Sequence, residues 1–225
     1  MSRPFQTIQT TAGRSVLTYW VLGLSMPMIY AAVRGAPYLG SGQLHTLMEA
    51  VATLLAVIVG VMALVRFYTS RSNTFLIVGV GFLGTGFLDG YHAVVTSTWF
   101  ADLMPSDLGN LIPWSWVASR AFLGGVLLLS WANLLRERDR APFGPAGVRS
   151  VYFGAILLTL LSFLFFAFVP LPRAYYPEII FHRPEEFVPA LFFAVALIGY
   201  VRNGDWREDV FEHWLMLAII VNLVS

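Results

Sequence analysis

Long apolar blocks, broken by short polar segments that hold most of the arginines, set the pattern of this chain. One bilayer crossing takes about 20 apolar residues as a helix. On that measure the sequence predicts six complete spans and the start of a seventh. The complete spans are about Ser15–Val33, Leu44–Tyr68, Phe75–Trp99, Pro113–Leu135, Arg149–Pro170 and Pro184–Val201. The seventh opens near Phe211 and is still apolar at Ser225, so the sequence reads as a piece of a longer protein. The expected fold class is all-α, a polytopic transmembrane helical bundle. Residues 1–14 form an N-terminal segment and 15–225 one membrane domain. Pro27 and Pro189 predict bends in the first and sixth spans, and Pro113 suits the first turn of the fourth. The first apolar run is long for a cleaved signal sequence and is read as a span.

Charge gives the spans a direction. Arg3, Arg14, Arg66, Arg71, Arg136, Arg138, Arg140, Arg149, Arg202 and Arg207 fall on one side, against Arg34, Arg173 and Arg183 on the other. The positive-inside rule then places the N-terminus in the cytoplasm. Tyr38, Trp99, Trp114, Tyr175 and Tyr176 would mark the outer interface, and Tyr68, Trp131, Tyr200 and Trp206 the inner one.

Composition narrows the chemistry. Only 12% of residues are charged and the net charge is +1, which gives no cue for nucleic-acid binding. There is no cysteine, which excludes disulfides, thiolate metal sites and cysteine nucleophiles. All fourteen cationic residues are arginine, so Schiff-base chemistry is excluded as well. No serine or threonine stands with a histidine and a carboxylate in a recognisable hydrolase arrangement.

The polar residues inside the spans carry the remaining information, because a charge at mid-membrane costs about 2.5–3.5 kcal/mol on insertion scales. The third span places Asp89 and His92 at i and i+3 near its outer end, on one face. The second opens with His45 and Glu49 at i and i+4, also on one face. A short loop makes these spans antiparallel neighbours, so both pairs lie within about 10–15 Å of the outer boundary by helix rise. Arg120, two turns into the fourth span, is expected to pair with Asp89 or Glu49. His182, Arg183, Glu185 and Glu186 stand at the mouth of the sixth. Three readings compete for this cluster. It is interhelical hydrogen bonding alone; or a metal site of His45, Glu49, Asp89 and His92 for Zn, Fe, Mn or Cu; or a small-molecule or haem pocket with His45 and His92 as axial ligands.

The third span also carries Gly79, Gly81, Gly84, Gly86 and Gly90. Residues 79–84 spell GxGxxG, but no strand precedes them, so dinucleotide binding is rejected. Gly86 and Gly90 spell GxxxG, which predicts close helix packing inside the bundle or in a homodimer. Asn133 and Asn222 are expected interhelical hydrogen bonders, and His213 an interfacial histidine.

The second and third spans resemble the membrane-associated sensor domains of bacterial signalling proteins (the third type of that group). His45, Thr46 and Glu49 match an H-T-x-x-E that opens one span; Asp89 and His92 match a D-x-x-H that closes the next. Trp116 and Arg120 are similar to the family's W-x-x-x-R, and His182–Glu186 and Phe211–Leu215 to its later blocks. The resemblance runs from Leu44 to Ser225. It implies a sensory input module, and the residues expected to bind its ligand are the polar cluster itself, His45, Glu49, Asp89, His92, Arg120 and His182. It also implies a cytoplasmic histidine kinase or diguanylate cyclase partner module, where any catalysis would reside. A transporter or an intramembrane metalloenzyme built on the same cluster is the alternative.

Overall fold

The computed structural model describes residues 42–97, 99–137, 141–179, 181–203 and 210–224, with isolated positions between 17 and 29. The expected first span at 15–33 therefore lies almost wholly outside the described residues. Those described form six α-helices and no strand: α1 Gly42–Ser70, α2 Asn73–Val95, α3 Leu108–Glu137, α4 Pro145–Phe168, α5 Phe187–Asn203 and α6 Val210–Val224. Single 3-10 turns at Ala101–Leu103 and Pro184–Glu186 precede α3 and α5. Five stretches are long and apolar enough to cross a membrane, Leu47–Ser70, Asn73–Val95, Leu108–Arg136, Pro145–Phe168 and Pro184–Asn203. Phe211–Leu223 is a shorter apolar helix.

The chain divides into two compact units, and residues 40–192 form the larger. Within it α2 is the central helix, packed against α1, α3 and α4, while α3 and α4 scarcely touch each other. Only Arg71 and Ser72 join α1 to α2. The chain reverses there because Arg71 takes a left-handed conformation, φ 59°, and its N–H bonds the Phe67 carbonyl at 2.8 Å. The outer faces of α1 and α4 are apolar and exposed, as at Leu54, Leu55, Ile58, Ile156, Leu160 and Leu164. In a bilayer those side chains meet lipid, which is why composition alone separates these helices from soluble ones. In the second unit, Phe193, Ala196 and Tyr200 on α5 and Leu215, Met216 and Ile219 on α6 are buried.

The glycines explain how α2 sits at the centre. At 100° per residue they divide between two faces. Gly79, Gly86 and Gly90 turn to α1, where added Cβ atoms would meet Leu64, Val57 and Thr53. Gly81 and Gly84 turn to α3, against Val126 and Phe122. The closest crossing is Gly60 on α1 with Gly79: a Cβ on Gly60 would lie 2.9 Å from the Gly79 carbonyl oxygen. The GxxxG pair is thus used inside the subunit, against α1.

Several expected boundaries are corrected. α2 ends at Val95 and not at Trp99: the Thr96 N–H still bonds the His92 carbonyl at 3.0 Å, but Ser97 turns both its N–H, at 3.1 Å, and its hydroxyl, at 2.6 Å, to the Val94 carbonyl. Ser97 thereby takes up a carbonyl that a further turn would have used. α3 starts at Leu108, five residues before Pro113, since the Asp107 carboxylate accepts the Asn110 N–H at 3.0 Å and caps the helix. Pro113 accordingly lies in the second turn. Pro189 falls in the first turn of α5, where its missing N–H has no intrahelical acceptor to lose, so it imposes no bend. Asn222 donates within its own helix, to Ala218 O at 2.9 Å. Replacing Asp107 by alanine is expected to cost about 1 kcal/mol, read as a lower unfolding midpoint in detergent micelles.

Candidate functional site

The end of the larger unit that carries the cluster is built from the C-terminal end of α2, the start of α3, the end of α4 and the segment after it. Val95, Leu111, Phe166 and Leu171 form an apolar core there, flanked by Tyr91, Met104, Trp114 and Ala118. Polar ties fix the segment that follows α4. Ser106 Oγ accepts the Leu171 N–H at 2.8 Å, Asn110 Oδ1 accepts the Ala174 N–H at 3.1 Å, and Trp114 Nε1 donates to Pro172 O at 2.9 Å. Tyr91 stacks on Phe163 with centroids 4.6 Å apart and donates to its carbonyl at 3.2 Å, locking α2 to α4.

Beneath this floor the two ionisable residues of α2 turn to α3. His92 is 1% exposed, and its Nδ1 lies 2.7 Å from Ser115 Oγ. Ser115 gives its one proton to the Leu111 carbonyl at 2.5 Å. With that proton engaged, the Ser115 oxygen is left to accept from His92 Nδ1. One turn away, Ser119 Oγ donates to Asp89 Oδ1. Ser115 and Ser119 are spaced i,i+4, and Asp89 and His92 i,i+3. Two antiparallel helices with these spacings present matching rows, so both bonds form at once. Glu49 on α1 lies close enough to Asp89 for the two charges to interact.

Arg120 follows Ser119 directly. Its guanidinium sits 4.3 Å from the Trp116 ring centroid and interacts electrostatically with Glu186. Glu186 also pairs with Arg183 at 3.1 Å, with both groups well exposed. Glu185 is buried beside it, 8% exposed. The described contacts of Arg120 are thus with Trp116 and Glu186, while Asp89 is held by Ser119. His182 directly precedes Arg183. It is exposed, with Nδ1 3.3 Å from Tyr176 O and its ring 5.2 Å from that of Tyr175, and its own carbonyl accepts the Tyr176 N–H. His45 belongs to the first turn of α1, and its side chain lies outside the described residues. Among the described residues no three His, Asp or Glu side chains are grouped to hold a metal ion.

A family model described as a membrane-associated sensor domain, of the third type, matches residues 42–225. The chain belongs to that family. No curated protein matches it, and no solved structure does. The matched range takes in α1 to α6 and every residue of the cluster. The sensor domain is a multi-pass membrane domain built from apolar helices. Reading the sequence missed Ser115 and Ser119. Their signal was present, as two small hydroxyl residues at i,i+4 in an apolar helix, interleaved with Trp116 and Arg120.

Proposed function

We propose that this sensor domain is the input module of a bacterial signalling protein of histidine kinase or diguanylate cyclase type. It lies in the inner membrane with its N-terminus cytoplasmic, and the stimulus acts at Asp89 and His92 on the outer side. The observation that supports this reading is the double tie between α2 and α3, Asp89 with Ser119 and His92 with Ser115. Both ties join an ionisable group to a neutral hydroxyl. A ligand that draws Asp89 or His92 to itself weakens the bond to α3 and changes how the two helices meet. The ligand-bound and ligand-free arrangements then differ in free energy by the ligand's differential affinity, which is what shifts an attached output. Arg120 and Glu49 set the local charge. The segment itself needs no catalytic group; catalysis belongs to the output module.

Metal or haem binding through His45, Glu49, Asp89 and His92 is tested by the same experiment. Metal analysis and an optical spectrum are recorded on wild type and on a His45→Ala/His92→Ala variant, alongside the output of the full-length protein. The expected result is loss of stimulus-dependent output in the variant with insertion intact. Output that still responds normally would overturn the proposal. A stoichiometric metal or a Soret band, lost in the variant, would identify the bound group.

A further inference from the structure

The other end of the larger unit holds a feature that the stimulus site does not use. Because α3 and α4 both pack on α2 but scarcely on each other, a groove of about 510 Å³ opens between them. That volume is within the range of small-molecule sites. Ile77 and Gly81 of α2 form its floor, Val126 and Leu129 of α3 one wall, and Val151 and Leu158 of α4 the other. Polarity is concentrated at one end, where Asn133 and Arg136 of α3 lie at i and i+3 on one face. Arg136 is in the last turn of α3 and ends the apolar stretch Leu108–Arg136.

We infer that this groove binds one anionic glycerophospholipid, with an acyl chain between α3 and α4 and the phosphate on Arg136 and Asn133. Three observations carry the assignment. The groove lies within two membrane-spanning helices, so hydrocarbon is the medium that reaches it. An unfilled apolar gap would forfeit the packing that its lining otherwise makes. Its single cationic end matches an amphiphile with one apolar and one anionic part. A guanidinium is permanently charged and offers its donors in a fork suited to phosphate oxygens. Basic pockets between membrane helices hold anionic headgroups in this way. The bound chain sets the spacing of α3 and α4, the pair of helices that the direct contacts leave loose.

Two variants test this. Gly154 lines the groove, and a Cβ added there meets nothing within 4 Å, so Gly154→Leu fills the groove without straining the backbone. Arg136→Gln removes the charge and keeps a shorter, polar side chain that can still donate a hydrogen bond. The full chain is incorporated into vesicles of equal parts phosphatidylcholine and phosphatidylglycerol, and retained lipid is identified by native mass spectrometry, with helicity checked by circular dichroism. Wild type is expected to retain one phosphatidylglycerol. Arg136→Gln should lose the preference for it by about fivefold, the effect of one cation near an anionic surface. Gly154→Leu should lose retained lipid of both kinds. Equal retention of the two lipids by wild type overturns the proposal. So does an Arg136→Gln variant with unchanged preference, a Gly154→Leu variant that still holds lipid, or a neutral hydrophobic molecule retained in the lipid's place.

Discussion

Replacing Gly60 by leucine is expected to drive α1 away from α2 and to lower the stability of the domain by about 3 kcal/mol, the upper end of the cost of overpacking. Besides Leu83 Cγ, the atoms in the way are backbone. A Cβ at residue 60 would lie 2.9 Å from the Gly79 carbonyl oxygen and 2.9 Å from the Leu83 nitrogen. A flexible side chain could rotate aside, but these two atoms move only with α2. Since α2 also carries α3 and α4, the displacement is passed through the whole unit. The measurement is an unfolding midpoint in detergent followed by circular dichroism on protein stripped of lipid, so that the groove is empty in every sample, with Gly154→Leu as the matched control. That control adds the same side chain where nothing stands within 4 Å, so a change within about 0.5 kcal/mol is expected. Equal midpoints for the two variants would show that the helices do not cross at Gly60 and Gly79.

The second large effect concerns Asp89. Ser119→Ala removes the hydroxyl that holds its carboxylate, and a double-mutant cycle with Asp89→Ala should give a coupling of about 1.5–3 kcal/mol, the size of a hydrogen bond to a charged group. Asp89→Asn separates structure from signalling. Asparagine keeps the accepting oxygen, so the unfolding midpoint should stay close to wild type. The charge is gone, so the output of the full-length protein should be locked at one level across conditions that modulate wild type. An Asp89→Asn protein with normal response would leave Asp89 a packing residue. A variant that fails to insert would show instead that the carboxylate serves folding.

These two results probe parts of the molecule that differ in how far the sequence revealed them. Helix existence was legible because a bilayer leaves few options. Backbone polar groups must be satisfied within the segment, so a long apolar run is a helix whatever surrounds it. The stretches expected to begin at Leu44, Phe75, Pro113, Arg149 and Pro184 all have a helical counterpart, and the tight reversal between α1 and α2 follows from the short polar gap at Arg71 and Ser72. The ends were less legible because they depend on which side chain takes the last carbonyl or the first N–H. Ser97 and Asp107 decided this locally, against the hydropathy that would have carried α2 to Trp99 and started α3 at Pro113.

By itself the sequence determined that this is a helical membrane domain, that ionisable residues sit inside its spans at helical spacings, and that the family is one of membrane-associated sensors. Those properties depend on composition and on residues close together in the chain. Only the tertiary structure decided which partner each ionisable residue faces. Asp89 and His92 look to Ser119 and Ser115, and His182 to the Tyr176 carbonyl. It also decided that three glycines of α2 serve α1 while two serve α3, and that α3 and α4 are left apart. The reason is rotational. A span's hydropathy is nearly the same on every side, so the sequence fixes its length and leaves its facing open, and facing is set by the close approach of glycine backbones from another helix.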